Sequence, residues 1–300
     1  MTRPLAVGVQ LPEVEREVRF PELAALARQV ESAGFDSIWL GDHLLYRDAD
    51  GAARGPWEAW TSLAALAEAT ERVVLGPLVA STSFHTPPML AKLAATVDEI
   101  SGGRLVLGLG AGWNEVEYRA FGFPYDHRAS RFEEAFGILR RLMAGERVDH
   151  RGEYYEVEGA ELQPAPVRRV PIMVGSIGPR VLAATLPHVE AWNAWYAWYG
   201  NTVDGARDLL GEIDGRCAAV GRDPATLDKT LAVHVAAPGG TGRVYGADTH
   251  AGVAPISGPP AAIAAHLVAL AELGVAHVQL VVDPIDEGGV AWAAGILDAF

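Results

Sequence analysis

Apolar positions along the chain follow two alternating patterns. Short runs rich in Val, Ile and Leu recur, and each is followed by a longer segment whose apolar positions have helical spacing, which is typical of repeated βα units. Most runs lack strict alternation, as expected for parallel strands buried on both faces. The pattern predicts eight strands, at Leu5–Leu11, Ser37–Gly41, Val73–Ala80, Leu105–Gly110, Pro171–Gly175, Val189–Trp195, Thr230–Ala236 and His277–Val282.

The segments between these strands predict the helices. Pro87 and Pro259 stand where the first turn of a helix tolerates proline. Eight βα units that close on themselves form a TIM (β/α)₈ barrel, whereas the main alternative, an open doubly wound sheet, normally has fewer strands. We therefore expect the barrel. The predicted helices are Pro21–Ser32, Trp57–Thr70, Pro87–Ile100, Arg128–Ala144, Val203–Val220, Pro259–Leu273 and Gly289–Phe300, with a short one at Pro179–Leu186.

Two segments interrupt this rhythm and are expected to be insertions. Residues 147–166 contain YYEVEGAEL, which alternates like an exposed hairpin strand, followed by a proline-rich tract that excludes a helix. Residues 238–258 are rich in Gly, Ala and Pro, and long loops of this kind in compact domains often form lids or binding elements. Because single barrels of 300 residues are common, residues 1–300 are expected to form one domain.

Composition narrows the function classes. The formal net charge is -14, and no local cluster of Lys and Arg offsets it, so neither nucleic acid nor an anionic membrane is expected as a partner. The single cysteine, Cys217, cannot form an internal disulfide and has no neighbouring His or Cys, so we expect no metal site and a reducing compartment. Without an early apolar run, the expectation is a soluble, unsecreted, cytoplasmic protein.

The stretch IWLGDHLL, residues 38–45, ends a buried strand in an acid and an imidazole, Asp42 and His43. Residues at the carboxyl ends of barrel strands face the active-site mouth, so both become candidate catalytic residues. The alternative is a structural pair in which Asp42 caps the following loop and His43 packs against it.

Two glycine-rich turns are candidate cofactor sites. The fourth strand ends in Gly108, Gly110 and Gly112 before Asn114, and small residues there would let a ligand approach the backbone. The fifth strand runs into Gly175, Ser176 and Gly178 before a helix at Pro179, where amides, a hydroxyl and a helix dipole could meet a phosphate. For both turns the alternative is an ordinary βα connection, and neither matches a Walker A or dinucleotide fingerprint.

Aromatic residues suggest a substrate pocket. WNAWYAWY, residues 192–199, follows the sixth strand, and such residues could line a pocket for a flat ring, pack in the core or form a dimer surface. Trp57, Trp195 and Trp198 are the candidates for a substrate-contacting wall.

Five blocks, in this order, resemble the bacterial luciferase-like monooxygenase superfamily, and within it the branch that uses the deazaflavin coenzyme F420. They are GFDSIWLGDHL, HTPPMLAKLAATVDEISGGRLVLGLGAGWNEVEYRAFG, RFEEAFGILRRLM, PIMVGS and ELGVAHVQLVVD. The resemblance covers nearly the whole chain, and its long second block is highly specific.

The resemblance implies a barrel that binds coenzyme F420, or alternatively FMN, at the carboxyl ends of its strands, with no tightly held metal. It implies that His43 exchanges a proton with a small organic substrate and that Asp42 orients it. It also implies a cis peptide at Leu78–Val79 behind the ring, and a cofactor tail over two loops. The matching loop residues are Gly110, Ala111, Gly112 and Asn114, and Val174, Gly175, Ser176, Gly178 and Pro179. A homodimer is the family expectation, through helices of the second and third units.

The sequence also departs from the family. Phe84–His85–Thr86–Pro87 replaces Phe-Arg-His-Pro, which removes a basic residue near the cofactor tail, and Glu190–Ala191–Trp192–Asn193 replaces Asp-Gly-Trp-Asn. The loop Gly239–Gly252 is unusual for the family. The leading hypothesis is an F420-dependent oxidoreductase; the alternatives are an FMNH2-dependent monooxygenase served by a separate reductase, and a non-catalytic flavin-binding barrel.

Overall fold

The computed structural model describes residues 3–240 and 253–300. Eight parallel strands form the barrel. They are Ala6–Gln10, Ser37–Leu40, Val74–Pro77 with its continuation Ala80–Ser81, Leu107–Gly110, Ile172–Gly175, Ala191–Trp195, Asp228–Ala236 and Val275–Asp283, and are called the first to eighth strands below.

The strands pair in sequence order around the ring, and the eighth strand pairs with the first. The third strand is interrupted at Leu78–Val79. Before this break it pairs with the second strand, and after it Ala80 and Ser81 pair with Leu109 and Gly110 of the fourth. The parallel bridge between Leu75 and Leu105 also joins the third unit to the fourth. This ring confirms the TIM barrel and excludes the open doubly wound sheet.

Nine helices occur in the described residues and surround the strands. They are α1 Phe20–Ser32, α2 Ala59–Ala69, α3 Pro87–Ile100, α4 Glu115–Phe121, α5 Arg128–Met143, α6 Pro179–Thr185, α7 Val203–Ala219, α8 Pro260–Glu272 and α9 Glu287–Leu297. Helix α2 begins two residues later than predicted because the Glu58 side chain caps it, accepting hydrogen bonds from the amides of Trp60 and Thr61. Helix α9 begins earlier than predicted because Asp286 caps it through the amide of Gly289.

Two different environments fill the barrel. The layer between strands and helices is aliphatic, and the strand residues Ile38, Leu75 and Leu109 are fully buried in it. The interior also holds polar groups: the Asn193 side-chain amide donates to Thr230 Oγ1 and to Gln279 Oε1, both at 2.8 Å. Because buried polar groups must be hydrogen-bonded, this network fixes the sixth, seventh and eighth strands relative to one another.

The first insertion is a hairpin, as predicted. Strand Val148–Arg151 pairs antiparallel with Glu156–Ala160. A smaller hairpin that was not predicted, Tyr46–Arg47 with Ala53–Arg54, follows the second strand. In the second insertion, Ile256–Ser257 pairs parallel with the seventh strand, whereas residues 241–252 of the predicted Gly239–Gly252 loop lie outside the described residues. In the part of the chain that is described, no helix is long and apolar enough to cross a membrane.

Candidate functional site

His43 lies just beyond the carboxyl end of the second strand, and a carboxylate holds its ring. Nδ1 of His43 donates to Oε1 of Glu117 at 2.8 Å, and Oε2 of Glu117 accepts from the amides of Leu44 at 2.8 Å and Leu45 at 3.4 Å. Glu117 comes from α4 and is buried. One side chain therefore fixes both the imidazole and the backbone after it, and leaves Nε2 as the ring nitrogen that does not contact Glu117.

The hydrogen bond of Asp42 goes to another strand, and its expected role in orienting His43 stays a prediction. Asp42 is buried, and its carboxylate accepts from the amide of Ser81, at the end of the third strand, at 2.9 Å. The hydrogen bond that fixes the His43 ring comes from Glu117, and Asp42 acts on His43 through its charge. Burial raises the pKa of Asp42 to about 7, although the Ser81 amide and the charge of His43 oppose the rise.

A second carboxylate, that of Glu13, approaches His43 from the loop after the first strand. Its Oε1 is 4.0 Å from Nε2 of His43 and accepts from the Tyr46 hydroxyl at 2.6 Å. Burial alone lowers the pKa of His43, but the hydrogen bond to Glu117 and the charges of Glu13, Glu117 and Asp42 outweigh it, so the pKa lies above 6.5. These carboxylates therefore favour the protonated form of the imidazole, a group that can act as an acid or as a base.

Aromatic rings surround the exposed side of His43. The ring centroid of Tyr46 lies 4.8 Å away and that of Trp113 lies 5.5 Å away. Tyr46 is buried, but Trp113 is 47% exposed. His43 is itself 17% exposed. A molecule in contact with this imidazole would also meet the Trp113 indole.

The peptide bond Leu78–Val79 is cis, at the position that the resemblance implies. The side chain of Val79 fills the space left by two glycines of neighbouring strands: a Cβ on Gly110 would lie 2.7 Å from Val79 Cγ2, and one on Gly175 would lie 2.8 Å from the same atom. Val79 therefore gives a structural reason for these two glycines, in turns where the sequence suggested either a ligand site or an ordinary βα connection.

Contacts with Tyr118 and with Leu45 hold the loop Gly110–Asn114 in place. Gly112 has φ of 74°, and a Cβ there would lie 1.8 Å from the Tyr118 hydroxyl, so only glycine fits. Ala111 accepts through its carbonyl from the Tyr118 hydroxyl at 3.1 Å. Asn114 begins α4 without a side-chain cap, because its amide donates to the carbonyl of Leu45 at 2.8 Å. The loop is thereby tied to the segment that carries His43.

The second predicted loop lies next to the first, because Val174 on the fifth strand pairs with Leu109 on the fourth. Within it, the Ser176 hydroxyl accepts from the Gly178 amide at 3.1 Å, and α6 begins at Pro179 with no side-chain cap. The Ser176 carbonyl accepts from the Trp192 indole at 2.7 Å. One of the amides assigned to a phosphate is therefore already paired with Ser176.

The predicted substrate tryptophans have different surroundings. Trp57 is half exposed, and its indole donates to the carbonyl of Val18 at 2.7 Å. Trp195 ends the sixth strand and stacks on His234, with ring centroids 6.0 Å apart. Trp198 lies in the turn that follows and is exposed. Their contact with substrate stays a prediction.

The sequence analysis missed Glu13, Tyr46, Trp113 and Glu117. The best available signal was the pair Asn114 and Glu117, spaced as in a capping box, where a Glu in the first helical turn is expected to bond backbone amides. Glu117 does bond amides, but those of Leu44 and Leu45 on another segment. As for metals, residues 3–240 and 253–300 contain no group of three or more His, Cys, Asp or Glu side chains that could hold an ion.

Curated relatives carry names of F420 enzymes. The chain is 34% identical over 166 residues to the F420-dependent glucose-6-phosphate dehydrogenase of Amycolatopsis mediterranei, an alignment that covers 53% of this chain and 49% of the relative. It is 30% identical over 231 residues to the F420-dependent hydroxymycolic acid dehydrogenase of Mycobacterium tuberculosis, covering 75% of this chain and 62% of the relative. The chain thus spans about half to two thirds of the length of these relatives.

Solved structures share the fold at low identity. An F420-dependent secondary alcohol dehydrogenase in complex with an F420-acetone adduct superposes with a TM-score of 0.82 at 18% identity, covering 98% of both chains. A monooxygenase from Streptomyces bottropensis superposes with a TM-score of 0.76 at 20% identity, covering 99% of this chain and 97% of the other. The family model described as luciferase-like monooxygenase matches residues 5–238, and the chain therefore belongs to the luciferase-like monooxygenase family.

Proposed function

We propose that this protein is an F420-dependent oxidoreductase that moves a hydride between the deazaflavin and a small alcohol or carbonyl substrate, with His43 carrying the accompanying proton. The observation that carries the proposal is the His43–Glu117 pair at the mouth of the barrel. Its imidazole is fixed through Nδ1, has a pKa above 6.5 and is partly exposed. The names of the curated relatives support the choice of cofactor.

The residues at the mouth fit a flat, phosphate-bearing cofactor. The cis bond Leu78–Val79 and the glycines that enclose Val79 form a wall between the third, fourth and fifth strands, against which a ring could lie. Helices α4 and α6 begin beside this wall, and neither has a side-chain cap. Gly110, Ala111, Gly112, Asn114, Val174, Gly175, Ser176, Gly178 and Pro179 would hold the cofactor.

The protein groups then have separate tasks. When bound, the deazaflavin supplies the hydride chemistry. In the direction of alcohol oxidation, His43 accepts the hydroxyl proton at Nε2, because its Nδ1 is engaged with Glu117. Glu117 orients the imidazole and stabilises its protonated form, and the Trp113 indole shields the reacting atoms from water.

The proposal is tested by spectral titration with purified coenzyme F420 and, in parallel, with FMN and FMNH2. We expect F420 to bind with a micromolar Kd and the other two to bind far more weakly. The variant His43→Ala should retain F420 affinity, because His43 acts on the substrate. Tight binding of FMNH2 without F420 binding, together with reductase-driven oxygen consumption, would instead establish a monooxygenase. Binding of F420 without turnover of any alcohol or carbonyl substrate would favour a barrel that binds flavin without catalysis, and unchanged turnover in His43→Ala would contradict the role proposed for His43.

A further inference from the structure

Glu13 lies next to His43 and also lines a side cavity. It belongs to the loop after the first strand and is 5% exposed. Its carboxylate accepts hydrogen bonds from the Tyr46 hydroxyl on Oε1 at 2.6 Å and from the Gln10 side-chain amide on Oε2 at 2.5 Å. Oε1 is also the carboxylate atom that lies 4.0 Å from Nε2 of His43. Glu13 therefore faces the ring nitrogen of His43 that does not contact Glu117.

A side cavity of about 290 Å³ begins at Glu13. Its walls come from the loop after the first strand, the end of the second strand, and the segment from the Ala53–Arg54 hairpin strand to the start of α2. Trp57, 49% exposed, and Glu17, with a side chain 77% exposed, belong to its walls, so it is open to solvent. His43 is absent from its lining. Glu13 thus lines the cavity and also lies within 4.0 Å of Nε2 of His43.

The absence of a side chain at Gly41 leaves the space that the Glu13 carboxylate occupies. A Cβ on Gly41 would lie 1.9 Å from Oε2 and 3.1 Å from Oε1 of Glu13. Any other residue at position 41 would therefore displace this carboxylate from its position beside His43 and the cavity. The glycine at position 41 is thus required by Glu13, a residue 28 positions earlier in the chain.

A proton on His43 needs an exit when cofactor and substrate cover the mouth, because a covered active site excludes water. We propose that Glu13 accepts this proton from His43 and releases it to water in the side cavity. The proposal rests on the proposed function, which places the proton on Nε2. The proton leaves Nε2, binds Oε1 and passes to a water molecule, so His43 returns to neutral and Glu13 to carboxylate. No electrons move in this step, and carbonyl reduction reverses it. One water or a small rotation of the Glu13 side chain spans the 4.0 Å.

Turnover tests the exit route with two variants. Glu13→Gln removes the proton acceptor, and Gly41→Ala displaces it while keeping its charge. In weak buffer we expect each to lower kcat for alcohol oxidation 10- to 100-fold and to raise its solvent isotope effect. Added imidazole, a small base that fits the cavity, should restore at least a third of kcat in Glu13→Gln. A residue that only supports the fold would show no such rescue.

Matched controls separate the route from general perturbation. Glu17→Gln neutralises another carboxylate of the same cavity, and Gly137→Ala adds a methyl group to α5, where nothing lies within 4 Å of the new Cβ. Both should keep the parent kcat and show no imidazole effect. Loss of kcat in Glu13→Gln without rescue, or no loss at all, would overturn the proposal.

A second measurement needs no cofactor and no turnover. In the cofactor-free protein, nitrogen-15 NMR of labelled histidine follows the protonation of His43 Nε2 with pH. Because the charge of Glu13 raises the pKa of His43, we expect His43 to titrate at lower pH in Glu13→Gln and at an unchanged pH in Glu17→Gln; equal titration in all three proteins would contradict the contact on which the route depends. If F420 binds to none of them, the proposed function fails, and these titrations alone decide whether Glu13 acts on His43.

Discussion

Two partly buried histidines in the same barrel differ in the direction of their pKa shifts. His43, at the carboxyl end of the second strand, contacts the carboxylate of Glu117, and its pKa lies above 6.5. His277, near the amino end of the eighth strand, contacts the Ser37 hydroxyl at 2.8 Å, and burial lowers its pKa to about 4, against a weak opposing effect of Asp36. The nearest hydrogen-bond partner, and not burial alone, separates the two.

The hydrogen bond from Ser37 to His277 agrees with the lowered pKa of His277. The Trp39 indole donates to the Ser37 oxygen at 2.7 Å, so the hydroxyl hydrogen of Ser37 is left to donate to Nε2 of His277. That arrangement suits a neutral ring, and protonating Nε2 would break it. A carboxylate such as Glu117 favours the opposite, charged form. The same residue type is thereby a fixed structural group at one end of the barrel and a titrating group at the other.

Substituting each histidine in turn tests this comparison, and the largest change in kcat/KM is expected here. We expect His43→Ala to lower kcat/KM for the F420-dependent reaction by 10²- to 10⁴-fold, the usual contribution of a general acid or base. His277→Gln, whose amide can still pair with Ser37, should keep kcat/KM within about threefold of the parent. Steady-state kinetics with both variants gives the answer, and an equal loss in the two would remove the functional distinction between them.

The pH dependence of the free energy of unfolding tests the environment of His277, at the other end of the barrel. In the folded protein the pKa of His277 is about 4, below the 6.5 of a free histidine, so the unfolded chain binds more protons in this range and stability falls as pH drops from about 6.5 towards 4. Between pH 7 and pH 5 this one group costs on the order of 2 kcal/mol. Urea unfolding of His277→Gln should show a pH-dependent loss that is smaller by that amount. The idea fails if both proteins lose the same free energy.

The barrel could be predicted from the sequence because its signals are local. Each buried strand is a continuous apolar run, as in Ser37–Leu40, and the helix starts at Pro87 and Pro179 agree with the structure. Closure follows from repetition of the βα unit. Boundaries were less accurate where a side chain decides them, as at Glu58, whose capping role depends on geometry that a pattern does not contain.

The site could be predicted only in part. His43 was identified because it follows a strand end directly, and the Leu78–Val79 cis bond because the resemblance implied it. Glu13 and Glu117 approach His43 from segments 30 and 74 residues away in the chain, and a Glu in a polar loop or helix resembles any solvated acid. Long-range pairing of this kind has no local signal, so the sequence pointed to the neighbouring Asp42 and gave no indication of Glu117, which forms the hydrogen bond to His43.

Removing the charge of Glu117 tests the same comparison, with a smaller expected loss of activity than in His43→Ala. Alcohol oxidation needs neutral His43, so its rate should rise with pH through the pKa of that group. In Glu117→Gln the ring loses its carboxylate partner, and we expect this rising limb to move towards lower pH, with roughly 10-fold lower kcat. The control is Glu115→Gln, on the same helix, where the carboxylate pairs with Arg119. A limb that stays in place would mean that Glu117 does not set the pKa of His43.

The smallest effect is expected from Asp42→Asn. The Asp42 carboxylate accepts from Ser81 and acts on His43 only through its charge, whose influence on the pKa of His43 is weaker than that of the Glu117 hydrogen bond. An asparagine at this position can still accept from the Ser81 amide, so the loop should keep its shape. The rising limb of the pH profile should therefore move less than half as far as in Glu117→Gln, and in the same direction. A larger movement than in Glu117→Gln would restore Asp42 as the residue that controls His43, and would overturn the assignment of that role to α4.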